Sequence, residues 1–523
     1  MTNARRIGFA ALLLAASQLL SRVLGFARDA VIAALIGRGA ETDAYNAAFQ
    51  IPDLMFHLLA GGALSIAFIP LYQRARTQRG DEAAARFLAT VLGTISTFAA
   101  IAAALLFVFA EPLVALQFPE LPPEVQALTV RLTRIVIPAQ IAFIAGGVLR
   151  GALMADGRFA SQAAAPLIYN LAIIAGGLAG RELGVEGFAW GALFGAFAGS
   201  LGSALWEARG KLSFRFRFAP LDATFRSYFL VALPLMLGAT LITVDEWYGR
   251  WFGGLLGAGA ITTLAFARRI MQVPVGLVGQ SVATASLPTL SRLADADAGD
   301  ELQQTVLRTL QASLALAVLL AAGSVALADP IVRLVYVRGA FALADAAPVA
   351  AALKLLSLGI PGWVVQTLAV RPFYARADMW SPMLLGSGVA VLAIPLYWLL
   401  GAEYGVAGLA LAGSLAISAN ALATLLLARR LHRAPRLLPL LGTLVRSVAA
   451  TLPAAALAWL VADIAGTRSE LGVTPRALYE VALGGAVYAA LALPLLAAFG
   501  DAVTRDTLRR VAARVRRASR EST

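Results

Sequence analysis

Three ionisable side chains, Arg22, Arg28 and Asp29, stand in the stretch "LSRVLGFARDA" at residues 20–30, inside an apolar run from residue 7 to residue 36. More follow at comparable places: Asp43, Asp53 and His57, then Arg150, then Asp245, Glu246 and Arg250, then Arg268 and Arg269, and finally Lys354 and Arg371. At the centre of a bilayer such a group costs about 2.5–3.5 kcal/mol on insertion scales. Each therefore needs a counter-charge, a route to the interface, or a task. Arginines are in excess among them, and guanidinium groups grip phosphate oxygens in a fork, so the chemistry on offer is recognition of a polyanion. A carrier of cationic drugs would want the opposite sign. On a helix, Arg22 and Asp29 fall on one stripe, and Gly25 between them admits a neighbouring backbone or a ligand. The structural alternative is that Arg28 with Asp29 and Arg250 with Glu246 are plain ion pairs, or that the long side chains snorkel to the interface.

The elements that position these residues follow from composition. Of 523 residues, 59% are hydrophobic and 14% charged, with a mean hydropathy of +0.77. A soluble domain carries about a quarter charged residues. The chain has no cysteine, which excludes disulfides and thiolate chemistry, and only two histidines, His57 and His432, which argues against a histidine metal site. The opening "MTNARRIGFAALLLAAS" mimics a signal peptide, but its apolar character runs on, so it reads as a retained first helix. Glycine, proline and charge clusters divide the chain into fourteen expected spans: 7–36, 44–72, 84–110, 125–153, 162–180, 184–207, 226–252, 257–290, 303–328, 347–374, 381–401, 404–428, 440–464 and 477–499. Alternate loops are basic, with Arg74, Arg76 and Arg79, then Arg209, Lys211, Arg215 and Arg217, then Arg429, Arg430, Arg433 and Arg436, and the tail after residue 500 adds seven more arginines. The positive-inside rule places both termini in the cytoplasm, where anionic headgroups attract much of the +13 net charge. A nucleic-acid partner is not needed to explain it.

The chain is duplicated. "AEPLVALQF" at 110–118 recurs as "ADPIVRLVY" at 328–336, "FIPLYQR" ending at Arg74 as "SLPTLSR" ending at Arg292, "FQIPDL" around Pro52 as "MQVPVG" around Pro274, and the region of Pro138 as that of Pro361. All four pairs share an offset of about 220 residues. The predicted architecture is therefore all-α and polytopic: an N-lobe at 1–220, a C-lobe at 221–434, two additional helices at 435–500 and a basic cytoplasmic tail at 501–523. Six spans per copy relate the lobes by a pseudo-two-fold along the membrane normal, and carriers of this build bind cargo between lobes near the midplane and alternate its exposure. Pro52, Pro138, Pro234, Pro274 and Pro361 interrupt spans and bend them. "GALFGAFAG" at 191–199 is a ladder of small residues for close helix packing.

These residues resemble the MurJ (MviN) lipid II flippase family of the multidrug/oligosaccharidyl-lipid/polysaccharide (MOP) exporter superfamily. "SRVLGFARD" at 21–29 and "FARRIMQVPVGLVGQSVATASLP" at 266–288 carry the likeness, with "TDAYNAAFQIPD" at 42–53, "GGALSIAFIP" at 61–70, "GRFASQAAAP" at 157–166, "RGAFALAD" at 338–345 and "FYARAD" at 373–378 in support. The resemblance implies that Arg22, Arg28 and Arg269 face the pyrophosphate of a lipid-linked cargo, that Asp43 is the essential aspartate after the first helix, that Asp29 accompanies Arg28, and that the last two spans form a groove for the polyprenyl tail. The sequence departs from the family pattern at Phe56, usually arginine, at Gly61, usually glutamate, and at Arg268, often an acid. The cavity thus loses one Arg/Glu pair and gains an arginine, with His57 a partial replacement.

The function implied is a lipid II flippase in the bacterial inner membrane, carrying undecaprenyl-pyrophosphate-linked peptidoglycan precursor outward by alternating access, with no bond made or broken. Alternatives are a flippase for another polyprenyl-linked glycan and a cation-coupled drug exporter. A membrane glycosyltransferase would need a positioned carboxylate and a sizeable extramembrane loop. No "GxxxxGK[ST]" occurs, so no nucleotide site is expected and no cofactor is implied, with membrane potential or an ion as the drive. The expected partners are the lipid-linked oligosaccharide pyrophosphate and membrane lipids, and the expected state is a monomer.

Overall fold

A computed structural model describes residues 3–60, 67–212, 216–237, 241–280, 282, 299–376, 378–432 and 436–509. Among them every regular element is helical; the one exception is an isolated bridge between Arg338 and Phe341. This is what an apolar solvent demands, because a helix satisfies its own backbone groups where no water can. Nine helices among the described residues are long and apolar enough to cross a membrane, ten when the pair Leu343–Ser357 and Ile360–Tyr374, bent by 41°, counts as one span. The protein is a polytopic, all-α membrane protein.

The chain divides into two compact units. The first comprises residues 1–238 with 257–262 and 338–341; the second comprises 239–256, 263–337 and 342–523. The first division therefore falls at 238, later than the expected lobe boundary at 220. The cause is helix Ala223–Leu237, whose Phe225, Tyr228, Ala232 and Met236 join the core built by Phe68, Tyr72, Phe87, Leu88 and Val91. In lipid, where tails are as apolar as leucine, that core is held by close packing rather than by escape from water.

Two successions of helices repeat the same order. In the first unit, Asp81–Val108 (28 residues) is followed by the short Ala110–Gln117, then Pro123–Val136, then a break at Pro138 before Ala139–Ala155. In the second, Gly299–Ala326 (28 residues) is followed by Ala328–Tyr336, then Leu343–Ser357, then a break at Gly359 before Ile360–Ala369. The eleventh and twelfth expected spans are two helices within Trp380–His432, separated by a kink at Gly405, whose φ of 57° is not helical. Helices Leu437–Thr467 and Val473–Phe499 pack along each other and, through Ala450, Ala458, Tyr488 and Ala492, onto Leu319, Ala326 and Leu327 of the second unit. The serine-proline motif ending at Arg292, Gly61, and the arginines from 510 onward lie outside the described residues.

In the first unit, helix Ala160–Ala179 meets Val185–Gly195 and its continuation with almost no side chain between. A Cβ on Gly176 would lie 2.5 Å from the Gly187 carbonyl oxygen, one on Gly191 2.5 Å from that of Ala172, and one on Gly199 2.7 Å from that of Ala165. The expected small-residue ladder is thus a backbone-to-backbone seam.

Candidate functional site

The first unit holds four of the six expected site residues. Arg22, Arg28 and Asp29 share helix Asn3–Ile36. Arg28 donates from Nε to the Asp29 carboxylate at 2.9 Å and from a terminal nitrogen to the Asn170 side-chain oxygen at 3.3 Å. Asn170 in turn donates to Ser21 Oγ at 3.4 Å and to the Pro166 carbonyl at 2.9 Å. Asp29 is buried at 6% exposure, so the adjacent pair is largely neutralised within the protein. Gly25 faces the same Asn170, whose oxygen lies 4.0 Å from where a Cβ would sit. Arg22, two turns earlier, is half-buried and makes no hydrogen bond or ion pair among the described residues. Its guanidinium therefore has donors to offer.

Asp43 has a different employment. Its carboxylate accepts from the backbone N–H of Gly259, from the N–H of Thr262 at 2.7 Å and from the Thr262 hydroxyl at 2.6 Å. These donors open helix Ala260–Val275, so Asp43 caps a helix more than two hundred residues away in sequence. It is 1% exposed. Gly259 is held at φ +84°, and Arg38 atoms lie 3.0–3.2 Å from where its Cβ would be, so only glycine fits there. Alongside, the Ala340 N–H donates to the Ala34 carbonyl at 2.8 Å, and Gly339 at φ +56° brings its backbone against the same oxygen. Sequence reading noticed the "RGAF" of this segment but not its docking on the end of the first helix. Phe56 packs edge-on against Phe143 at 6.3 Å, so apolar contact occupies that family-variable position, and His57 beside it is half-buried.

The second unit holds Arg268 and Arg269 on helix Ala260–Val275. Arg268 is buried at 6% exposure and ion-paired with Asp245, which is 1% exposed and also accepts a hydrogen bond from the Tyr397 hydroxyl. Tyr397 is stacked on Phe252 and edge-on to Tyr248, and a Cβ on Gly413 would come within 2.7 Å of Asp245 Oδ1. Arg268 is thereby enclosed and compensated; it is not presented to a ligand. Arg269, half-buried, follows about 100° further round the helix. Arg250 pairs with Glu246 at 2.7 Å one turn earlier, as the structural alternative had it. Arg150, in the first unit, is satisfied by the Ser200 carbonyl and hydroxyl and by Gln162, all neutral. Lys354 pairs with Asp329, and a residue the charge reading missed, Glu480 at 2% exposure, binds both Arg333 and Arg476. The signal for Glu480 was a lone acid one third of the way into an apolar span.

Comparison with known proteins gives the chain its relatives. The profile of the family "MurJ: Lipid II flippase MurJ" matches residues 32–471, beginning just after Arg22, Arg28 and Asp29. A protein of Rhizobium meliloti (strain 1021) named "Probable lipid II flippase MurJ" is 31% identical over 501 residues, covering 92% of this chain and 91% of its own. One of the same name from Bdellovibrio bacteriovorus is 28% identical, covering 79% of this chain and 80% of its own. Among solved structures, "Lipid II flippase MurJ, inward closed conformation" superposes with a TM-score of 0.76 at 22% identity over 93% of this chain and 99% of that one. A multidrug resistance MATE family transporter of the MOP superfamily, inward-facing, gives 0.67 at 15% over 80% and 97%. The two likenesses establish the fold.

Proposed function

The chain belongs to the lipid II flippase MurJ family, and from that premise we propose that it moves lipid II, an undecaprenyl-pyrophosphate-linked peptidoglycan precursor, from the cytoplasmic to the periplasmic leaflet by alternating access. The observation that carries the reading is the family match over residues 32–471 together with a relative of that name aligned along 92% of the chain. It is a carrier, not a catalyst of bond change. The charge arithmetic supports it: a pyrophosphate is a dense polyanion, and arginine forks complement it.

Arg22 and Arg269 are assigned by their match to the family's cavity arginines, and the remaining roles by what each side chain binds. Arg22 and Arg269 are the pyrophosphate contacts. Arg28 joins them with its charge tempered by Asp29. Arg268 is held by Asp245 and supports the helix that carries Arg269. Asp43 acts through the helix it caps rather than on the cargo. Phe56 in place of the usual arginine favours a second reading, a flippase for another polyprenyl-linked glycan, whose headgroup would be read with one charge fewer. We place the protein in the bacterial inner membrane as a monomer with both termini cytoplasmic, following the arginine-rich alternate loops. Membrane potential is a sufficient drive, at about 2.3 kcal/mol per charge per 100 mV.

The test is growth rescue after depletion of the native flippase in a bacterium. The chain restores growth, and Arg22→Ala or Arg269→Ala abolishes rescue while the protein still inserts. Full rescue by both variants overturns the residue assignment. Failure of the unaltered, inserted chain to rescue, with accumulation of a different polyprenyl-linked glycan in cells that lack it, favours the second reading.

A further inference from the structure

Helix Val473–Phe499 (27 residues) carries no charge after Glu480 and is long and apolar enough to cross a membrane. It ends at Gly500, whose N–H still donates to the Leu496 carbonyl at 2.9 Å but whose ψ of 161° turns the chain out of the helix. A new helix starts two residues later and is described over 502–509. Asp501 organises the junction. One carboxylate oxygen accepts the Thr504 N–H at 2.7 Å and so caps the new helix; the other accepts from the Thr443 hydroxyl and from the Gln311 side-chain nitrogen at 3.2 Å. One aspartate thus ties the segment to helix Leu437–Thr467 and helix Gly299–Ala326. On the inner side Thr504 is 3% exposed and Leu508 packs against the core of the second unit, whereas Arg505 and Arg509 are exposed.

A helix that begins within three residues of the end of a membrane span lies at the depth of the headgroups. We infer that residues 501–509 are an interfacial anchor: a short helix, fixed in register by the Asp501 clamp, that lays Arg505 and Arg509 on the phosphates of anionic phospholipids in the adjoining leaflet. The occupant is the bilayer surface rather than a nucleic acid or an acidic protein, because the segment sits at the end of a membrane span and its two exposed arginines, flanking the exposed Asp506, are held there by the clamp. The clamp distinguishes this from a solvated basic tail, which would need no half-buried, triply hydrogen-bonded carboxylate to aim it. The inference does not depend on which cargo the protein carries.

The experiment is hydrogen exchange of the full-length protein in nanodiscs of phosphatidylcholine alone and of phosphatidylcholine with phosphatidylglycerol. Each arginine near an anionic surface contributes about fivefold in affinity, so the two slow the exchange of the 502–509 amides by up to about thirtyfold in the anionic discs. High salt removes the difference, and so does Arg505→Gln with Arg509→Gln, a change of two exposed side chains that leaves exchange in neutral discs as it was. Equal exchange in the two bilayers overturns the inference. So does protection by a short RNA or an acidic peptide in neutral discs where anionic lipid gives none.

Discussion

Replacing Arg268 by methionine is the sharpest available probe of the buried charges. The substitution keeps the volume of the side chain and removes its charge, leaving Asp245 ionised at 1% exposure. Removing one member of a buried pair typically costs about 3–5 kcal/mol, since the remaining charge has neither water nor partner. Here Asp245 keeps one hydrogen bond, from the Tyr397 hydroxyl. A hydrogen bond to a charged group contributes about 1.5–3 kcal/mol, so the loss falls at the low end, about 3 kcal/mol. Adding Asp245→Asn removes the stranded charge and keeps an acceptor for Tyr397, at the cost of amide hydrogens with no acceptor, about 1 kcal/mol. The double variant is therefore more stable than the single by about 2 kcal/mol, an ordering that non-interacting residues would not produce. The assay is reversible unfolding in mixed micelles, followed by tryptophan fluorescence. A double variant no more stable than Arg268→Met refutes the pairing as the reason Arg268 can be buried.

Asp43→Ala removes the acceptor for three donors at the start of helix Ala260–Val275 and costs about 2 kcal/mol, whereas Asp43→Asn, which keeps one acceptor, costs about half as much; the same unfolding assay reads both. Gly176→Leu forces a side chain into the 2.5 Å approach to Gly187 and lowers the yield of folded, monodisperse protein, while Gly442→Leu, with nothing within 4 Å of its Cβ position, leaves it unchanged. Acid sensitivity follows from Asp501 and Asp378. Burial alone would raise each carboxyl, but hydrogen bonds from Thr443 and Thr504 to the first, and from Ser381 and His432 to the second, outweigh it and hold both below the ordinary aspartate range. Depressed values give stability that is complete above about pH 4 and lost as the pH falls through the folded values, so Asp501→Asn flattens the acid limb of the unfolding curve below about pH 4.

Span positions were largely readable from sequence because apolar length and its punctuation are local properties. The expected 162–180 is the helix Ala160–Ala179, and the turn expected between 401 and 404 is at Gly405. The expected span 44–72 is not one rod: Ala40–Ala48 and Gln50–Ala60 are separate helices, and Pro52 was the warning. The site was legible where partners are neighbours in sequence, as for Arg28 with Asp29 and Glu246 with Arg250. It was opaque where they are not. Arg268 meets Asp245 from a different helix, and Asp43 reaches Gly259 and Thr262 across more than two hundred residues. Neither pairing leaves a trace in hydropathy or spacing, because a fold-dependent contact has no periodicity of its own.

The glycine seam of the first unit limits how that unit can move. With carbonyls of one helix seated where the side chains of the other would be, axial sliding by even a fraction of a turn drives backbone into backbone. Helix Ala160–Ala179 and its partner must travel as a single stiff plank. Any rearrangement during a transport cycle is thereby displaced onto other parts of the unit.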